Sequence, residues 1–227
     1  LNLYIIRHGE TAYNKLGRIQ GQSCDSNLTE LGIKQAELVG EKIKDIHFDF
    51  IYTSDLKRAE TTAEIIVNSA NLQTKITPSK LLRERNFGDI EGLNAEEIEK
   101  KYPLSMSEFR VSTTTPPPNG ESLQDMLSRL KKFYSVIKKQ HIDDNNILII
   151  THGGAIRMLI LAILNLGLEY HKNFSFNNAS LTIFHITEKL TKLVVANDTC
   201  HLNNLVIPHD KDNALFDKLA NDLYKIY

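Results

Sequence analysis

Two histidines, each ending an apolar run and each followed by glycine, are the residues of this chain best placed to do chemistry. Leu3, Tyr4, Ile5 and Ile6 lead into Arg7-His8-Gly9, and Ile147, Leu148, Ile149 and Ile150 lead into Thr151-His152-Gly153. A short apolar run bounded by glycine reads as a buried strand. In open parallel sheets ligands bind just beyond the carboxyl ends of the strands, so His8 and His152 are expected to face one pocket. Arg7 brings a cation to it, and Gly9 would let backbone approach a ligand closely. Arg58 falls in the first turn of an expected helix, where a cation opposes the helix dipole by about 0.3–1 kcal/mol unless an anion reverses the sign. Glu84, between Arg83 and Arg85, offers a carboxyl for proton transfer, and the amides of Gly153-Gly154 open a helix that could face an anion. Each has a plainer account taken singly: a solvated turn, an exposed arginine, a solvated glutamate, a tight turn with a capping histidine. Two histidines, two arginines and a carboxyl at strand ends or adjoining loops together describe one phosphate site.

The elements that must position these groups alternate. After the first strand, Gly9 to Ser26 reads as a polar loop, and Thr29 as the N-cap of a helix through Ala36, Val39 and Ile43. Phe48 to Thr53 reads as a second strand, with Ser54-Asp55 capping a helix around Ala59, Ala63 and Ile66. Leu81 to Gly92 is a charged functional loop, and Asn94 with Glu97 has capping-box spacing for a short helix to about Tyr102. The Thr113 to Gly120 stretch, with Pro116-Pro117-Pro118, suits neither a helix interior nor a central strand and is read as a surface excursion near the site. Ser122 with Asp125 opens an amphipathic helix through Leu123, Leu130 and Ile137, and the second histidine strand is followed by a helix from about Ala155 to Leu164. Leu181 to Ile186 and Leu193 to Ala196 form an expected antiparallel pair at the sheet edge. Leu215, Leu219 and Leu223 predict a final helix at about 213–226.

This alternation predicts an α/β fold, a three-layer α/β/α sandwich with a mainly parallel central sheet, one antiparallel edge strand and a small insertion at about 93–120 over the site. One domain spanning 1–227 is expected. The composition, 41% hydrophobic and 24% charged, is that of an ordinary globular protein, and a net charge of -1 lacks the broad basic footprint of a nucleic-acid binder. Cys24 and Cys200 are too few for a disulfide scaffold or a cysteine-based metal site, which suggests a reducing cytoplasm. Ala155 to Leu168, the most apolar stretch, contains Arg157 and Asn165 and is shorter than the roughly 18 residues of a membrane span. Leu1-Asn2-Leu3 shows no basic segment or cleavage site, so no secretory signal and no membrane association are expected.

Arg7-His8-Gly9-Glu10-Thr11, with Asn14 and Gly17-Arg18-Ile19-Gln20-Gly21, resembles the histidine phosphatase superfamily, the phosphoglycerate-mutase-like enzymes. Ser54-Asp55-Leu56-Lys57-Arg58-Ala59, Leu82-Arg83-Glu84-Arg85-Asn86-Phe87-Gly88, Asn119-Gly120-Glu121-Ser122 and Thr151-His152-Gly153-Gly154 continue the pattern in the family's order, over roughly residues 3 to 201. The resemblance implies that His8 is the nucleophile taking the phosphoryl group, with Arg7, Arg58 and His152 around it and Glu84 as proton donor. Asn14, Gln20, Gly21 and Gly153 match positions near the phosphate or substrate. No cofactor and no metal are implied; the partner is a small phosphorylated metabolite. The chemistry is coherent, since a neutral imidazole attacks phosphorus and cations meet the charge that spreads over the equatorial oxygens. A neutral Glu84 would protonate the leaving alkoxide and then, as carboxylate, activate the water that cleaves phosphohistidine.

The family contains phosphatases and mutases. Cofactor-dependent mutases usually follow their Gly-Leu-Asn with lysine, where this chain has Ala95 after Gly92-Leu93-Asn94, and carry paired arginines before a proline run, where it has Arg110-Val111. Charge-assisted contacts are worth about 1.5–3 kcal/mol each, so two missing cations favour a phosphomonoesterase over a 2,3-bisphosphoglycerate-dependent phosphoglycerate mutase. Relatives acting on sugar phosphates, fructose 2,6-bisphosphate or α-ribazole phosphate all fit the Phe87 to Gly92 segment. Arg85, Lys100, Lys101 and Arg110 are candidate substrate contacts that read more simply as solvated surface. A metal-dependent hydrolase is disfavoured by the lack of a helical His-x-x-x-His or Asp-rich motif, and a non-catalytic scaffold by the full set of expected catalytic positions.

Overall fold

The structure, a computed structural model, describes residues 1–102, 113–141, 144–203 and 205. The helix expected at 213–226 and Arg110-Val111 lie outside the described residues, as does part of the insertion expected at 93–120. The strands are β1 (Asn2–Arg7), β2 (Phe50–Ser54), β3 (Ile76–Ser79), β4 (Asn146–Thr151), β5 (Leu181–Ile186) and β6 (Thr191–Asp198). The helices are α1 (Ala12–Leu16), α2 (Glu30–Ile43), α3 (Lys57–Ser69), α4 (Ala95–Lys101), α5 (Leu123–Gln140) and α6 (Gly153–Leu164).

Alternation within the central strands builds a layer on each face. Leu3 and Ile5 of β1 and Ile147 and Ile149 of β4 pack with Leu130, Phe133 and Ile137 of α5 and Ile156, Leu159 and Ile160 of α6. Their neighbours Ile6, Leu148 and Ile150 pack on the other face with Val39 and Ile43 of α2 and Ala59, Ala63 and Ile66 of α3. Apart from the partly buried Tyr4, both histidine strands are buried along their apolar runs, which leaves their ends as the places where polar side chains meet.

The sheet order is β3-β2-β4-β1-β5-β6. β1 and β4 are parallel neighbours with Ile6 opposite Ile150 and Arg7 opposite Thr151, so the chain leaves both strands at the same level, into His8 and His152. β2 runs parallel to β4 on its other side, with Thr53 opposite Ile150, and brings Ser54 to that level too. β5 is the reversed strand, antiparallel to both β1 and β6, and β6 is the edge. Among the described residues no helix is long and apolar enough to cross a membrane.

Three local features depart from the sequence expectations. The Gly9 to Ser26 stretch contains α1, because Thr11 and Asn14 form a reciprocal capping box and Gly17 closes the helix in the left-handed region at φ 63°. β3 contains Pro78, which a strand tolerates here because β3 is the outer strand of the order and pairs only with β2. The N-cap of α3 is Leu56 and carries no side-chain cap, so Ser54 and Asp55 do not cap in the expected way. Asp55 instead takes both Arg83 Nε and Nη2 at 2.7 Å, and Ser54 is committed to the site. The caps expected at Thr29, Asn94 and Ser122 are all present.

Candidate active site

His8 is buried at the end of β1. Its Nδ1 lies 2.8 Å from the Gly9 carbonyl oxygen, which only accepts, so Nδ1 carries the proton and the neutral ring presents its lone pair at Nε2. Burial first, then the positive charges of Arg58 and Arg7, hold its pKa well below the ordinary histidine range, against a smaller opposing effect of the Gly9 hydrogen bond. The backbone is tied down on all sides: His8 N–H donates to Thr151 O at 2.9 Å, Asn178 Nδ2 donates to His8 O at 2.9 Å, and Gly9 N–H donates to Thr62 Oγ1 at 3.1 Å. Gly9 is needed for a different close approach from the one expected. A Cβ there would collide with the backbone of Gly32 in the first turn of α2.

Arg58 is only 1% exposed, which rules out the plain surface reading. Its Nη1 pairs with Asp25 Oδ1 at 2.8 Å, its Nη2 donates to Gly21 O at 2.9 Å, and its buried Nε has no acceptor among the described residues. Thr62, one turn later on α3, donates to Arg58 O and so links the cation's helix to the Gly9 amide. Arg7 donates from Nη1 to Phe176 O at 2.7 Å and packs under Gly153.

His152 is fully buried, its ring centroid 5.2 Å from that of His8 at an interplanar angle of 61°. Burial, then Arg58, His8 and Arg7, with a smaller contribution from Arg129, hold its pKa well below the usual range. Its Nε2 meets Ser54 Oγ at 2.8 Å, and its Nδ1 is buried with no partner among the described residues. A buried donor without an acceptor costs about 1–3 kcal/mol. Arg58 Nε and His152 Nδ1 are buried groups of the kind that an anionic ligand would satisfy.

Glu84 enters from the loop between two 3₁₀ turns, Lys80–Leu82 and Gly88–Ile90. Its carboxylate accepts Arg85 N–H at 2.7 Å and Gly154 N–H, at the start of α6, at 2.9 Å. A side chain at Gly154 would occupy the place of that carboxylate. Thr151 Oγ1 donates to Leu82 O at 2.6 Å, Gln22 Nε2 to Glu84 O at 2.8 Å, and Arg129 to the carbonyls of Leu81 and Arg83, which dock the loop on β4, on the Gln22 segment and on α5.

The remaining expected positions line the supporting loop. Asn14 Oδ1 accepts from Thr11 N at 3.2 Å and from Asn178 Nδ2 at 3.3 Å. Gln20 donates to Thr11 Oγ1 at 2.6 Å and accepts from Ser26 Oγ at 2.9 Å, while Gly21 supplies the carbonyl that holds Arg58. Residues that sequence reasoning missed are Asp25, Thr62, Asn178, Arg129 and Glu91. Glu91 joins the loops around the pocket by accepting the amides of Gln22, Ser23, Cys24 and Phe87 and the Ser23 hydroxyl. Burial alone would raise its pKa, but those hydrogen bonds hold it below the usual carboxylate range.

The depressed histidines give stability a definite pH dependence. Between the low folded pKa and the unfolded value near 6.5 the unfolded chain binds more protons, so stability is complete above about pH 6.5 and falls as the pH drops below it. The limiting slope is about 1.4 kcal/mol per pH unit for each such histidine. Urea midpoints measured from about pH 7.5 down to about 5 should fall, and His8→Gln should flatten that decline. An equal decline in the variant would remove His8 from the account.

The chain is similar to known proteins along most of its length. The model of the histidine phosphatase superfamily (branch 1) matches residues 3–199. Phosphoserine phosphatase 1 of Hydrogenobacter thermophilus is 32% identical over 215 residues, covering 93% of this chain and 99% of the relative. A 2,3-bisphosphoglycerate-dependent phosphoglycerate mutase of Cytophaga hutchinsonii is 34% identical over 190 residues, covering 83% and 89%. The crystal structure of the α-ribazole phosphatase from Shigella flexneri matches with a TM-score of 0.80 at 28% identity, covering 87% of this chain and 96% of that one.

Proposed function

We propose that this chain, which belongs to the histidine phosphatase superfamily, is a phosphomonoesterase that hydrolyses a small phosphorylated metabolite through a phosphohistidine on His8. The observation that carries the reading is the His8 ring itself, with its Nδ1 proton held on Gly9 O and its Nε2 lone pair presented beside two buried arginines. In the first step Nε2 attacks phosphorus, the bond to the leaving oxygen breaks, and Glu84 gives that oxygen a proton. In the second, water attacks phosphorus, the N–P bond breaks, Glu84 takes a proton from the water, and His8 returns to its neutral form. Arg7, Arg58 and His152 meet the charge on the equatorial oxygens in both steps, so turnover should persist in excess chelator. Asn14, Gln20 and Gly21 shape the loop that carries Arg58's acceptors, and Gly153 keeps the space over Arg7 open.

Phosphoserine is the first substrate to test, because the phosphoserine phosphatase named above aligns along nearly its whole length. The mutase relative supports a second reading. Against it stands Ala95, the first residue of α4, where mutases of the family place lysine. A panel of small phosphomonoesters, scored for free phosphate and for isomerised product with and without 2,3-bisphosphoglycerate, decides between them. Phosphate release without isomerisation is expected. Efficient isomerisation with negligible phosphate release would establish the mutase instead.

A further inference from the structure

We infer that Ser54 fixes the tautomer of His152 so that this ring offers a proton, rather than a lone pair, to the transferring phosphoryl group. The inference rests on reading the pocket as a phosphoryl-transfer site. Ser54 ends β2 at the level where β1 and β4 end, and it is completely buried. Its oxygen accepts the Leu56 amide at 3.3 Å and lies 2.8 Å from His152 Nε2.

A serine hydroxyl has one proton to give. Among the described residues the only acceptor paired with Ser54 Oγ is His152 Nε2. If Nε2 carried the ring proton, the buried hydroxyl proton would lack an acceptor and Nδ1 would turn a lone pair toward an anion. The opposite tautomer gives the hydroxyl proton an acceptor at Nε2 and leaves Nδ1–H, buried with no partner among the described residues, for a phosphoryl oxygen. The two histidines then share one tautomer and do opposite work. His8 gives its Nδ1–H to Gly9 O and keeps a lone pair for attack, whereas His152 gives its lone pair to Ser54 and keeps a proton for charge stabilisation.

Ser54 acts through His152 and is a positioning residue. The test is the imidazole ¹⁵N spectrum of the whole chain labelled at histidine, with His152 assigned from His152→Gln, beside steady-state kinetics on the substrate found by the panel. The wild-type spectrum should show His152 protonated at Nδ1. Ser54→Ala should lose that tautomer preference and lower kcat about 10- to 100-fold with KM little changed, and Ser54→Thr, which restores a hydroxyl, should recover both. A wild-type His152 protonated at Nε2 overturns the inference, and this reading needs no variant to fold. Loss of the tautomer without loss of kcat, or the reverse, also overturns it. Because the tautomer is read without substrate, failure of the panel to show phosphoryl chemistry would remove the proposed function separately.

Discussion

Turnover should fall by about 10⁴-fold or more in His8→Ala, and no phosphate should remain covalently on the protein after mixing with substrate. The substitution removes Nε2, the atom proposed to accept the phosphoryl group, while sparing what holds the site. The β1–β4 register is set by backbone pairing from Asn2 to Arg7, and the His8 backbone keeps its bonds to Thr151 and Asn178. Since burial and the two arginines keep His8 neutral, its loss changes no charge, and Arg7, Arg58 and His152 still face the pocket. The variant should therefore bind inorganic phosphate or vanadate and melt cooperatively near the wild-type temperature. Phosphate release at the wild-type rate, or acid-labile label on the variant, would move the nucleophile elsewhere.

Why this site was partly legible follows from what local sequence encodes. Leu3–Ile6 and Ile147–Ile150 are apolar through two faces, which requires burial in a parallel sheet, and each ends two residues before its histidine. Equal offsets let the parallel register, Arg7 opposite Thr151, bring the rings together. Apart from the family resemblance, Arg58 was legible as a cation with an unfavourable place in a helix, a tension that its buried pairing with Asp25 and Gly21 explains.

The illegible part concerns partners rather than elements. A serine or aspartate before a helix can cap it, pair with a cation or hold an imidazole, and local sequence supplies the capacity without the choice. Ser54 and Asp55 read as caps because their partners, His152 and Arg83, are distant in the chain. Asn178 precedes β5 with no periodic signal, yet its amide bridges His8 O and Asn14 Oδ1. Glu91 lies in a loop whose charges read as functional without naming its partners, and five donors from two loops converge on it. That convergence is set by the fold, and it keeps the loop that carries Arg58's acceptors fixed against the loop that carries Glu84.

Glu84→Gln should separate the two chemical steps. Glutamine keeps the shape of the side chain and one acceptor for the amides of Arg85 and Gly154, but it can neither protonate a leaving alkoxide nor take a proton from water. For an alkyl phosphate such as phosphoserine, turnover should fall by about 10²- to 10⁴-fold, the usual contribution of a positioned acid or base. An aryl phosphate, whose leaving group departs as a stable anion, needs little help in the first step. With it the variant should release about one equivalent of phenol in a burst and then turn over slowly, because the phosphohistidine waits for a water that no carboxylate activates. Rapid-quench measurement of phenol and of protein-bound phosphate reads both quantities in one experiment. Equal losses on alkyl and aryl substrates with no accumulated phosphoenzyme would deny Glu84 the proton, and would leave its carboxylate as a brace between the Arg85 amide and the start of α6.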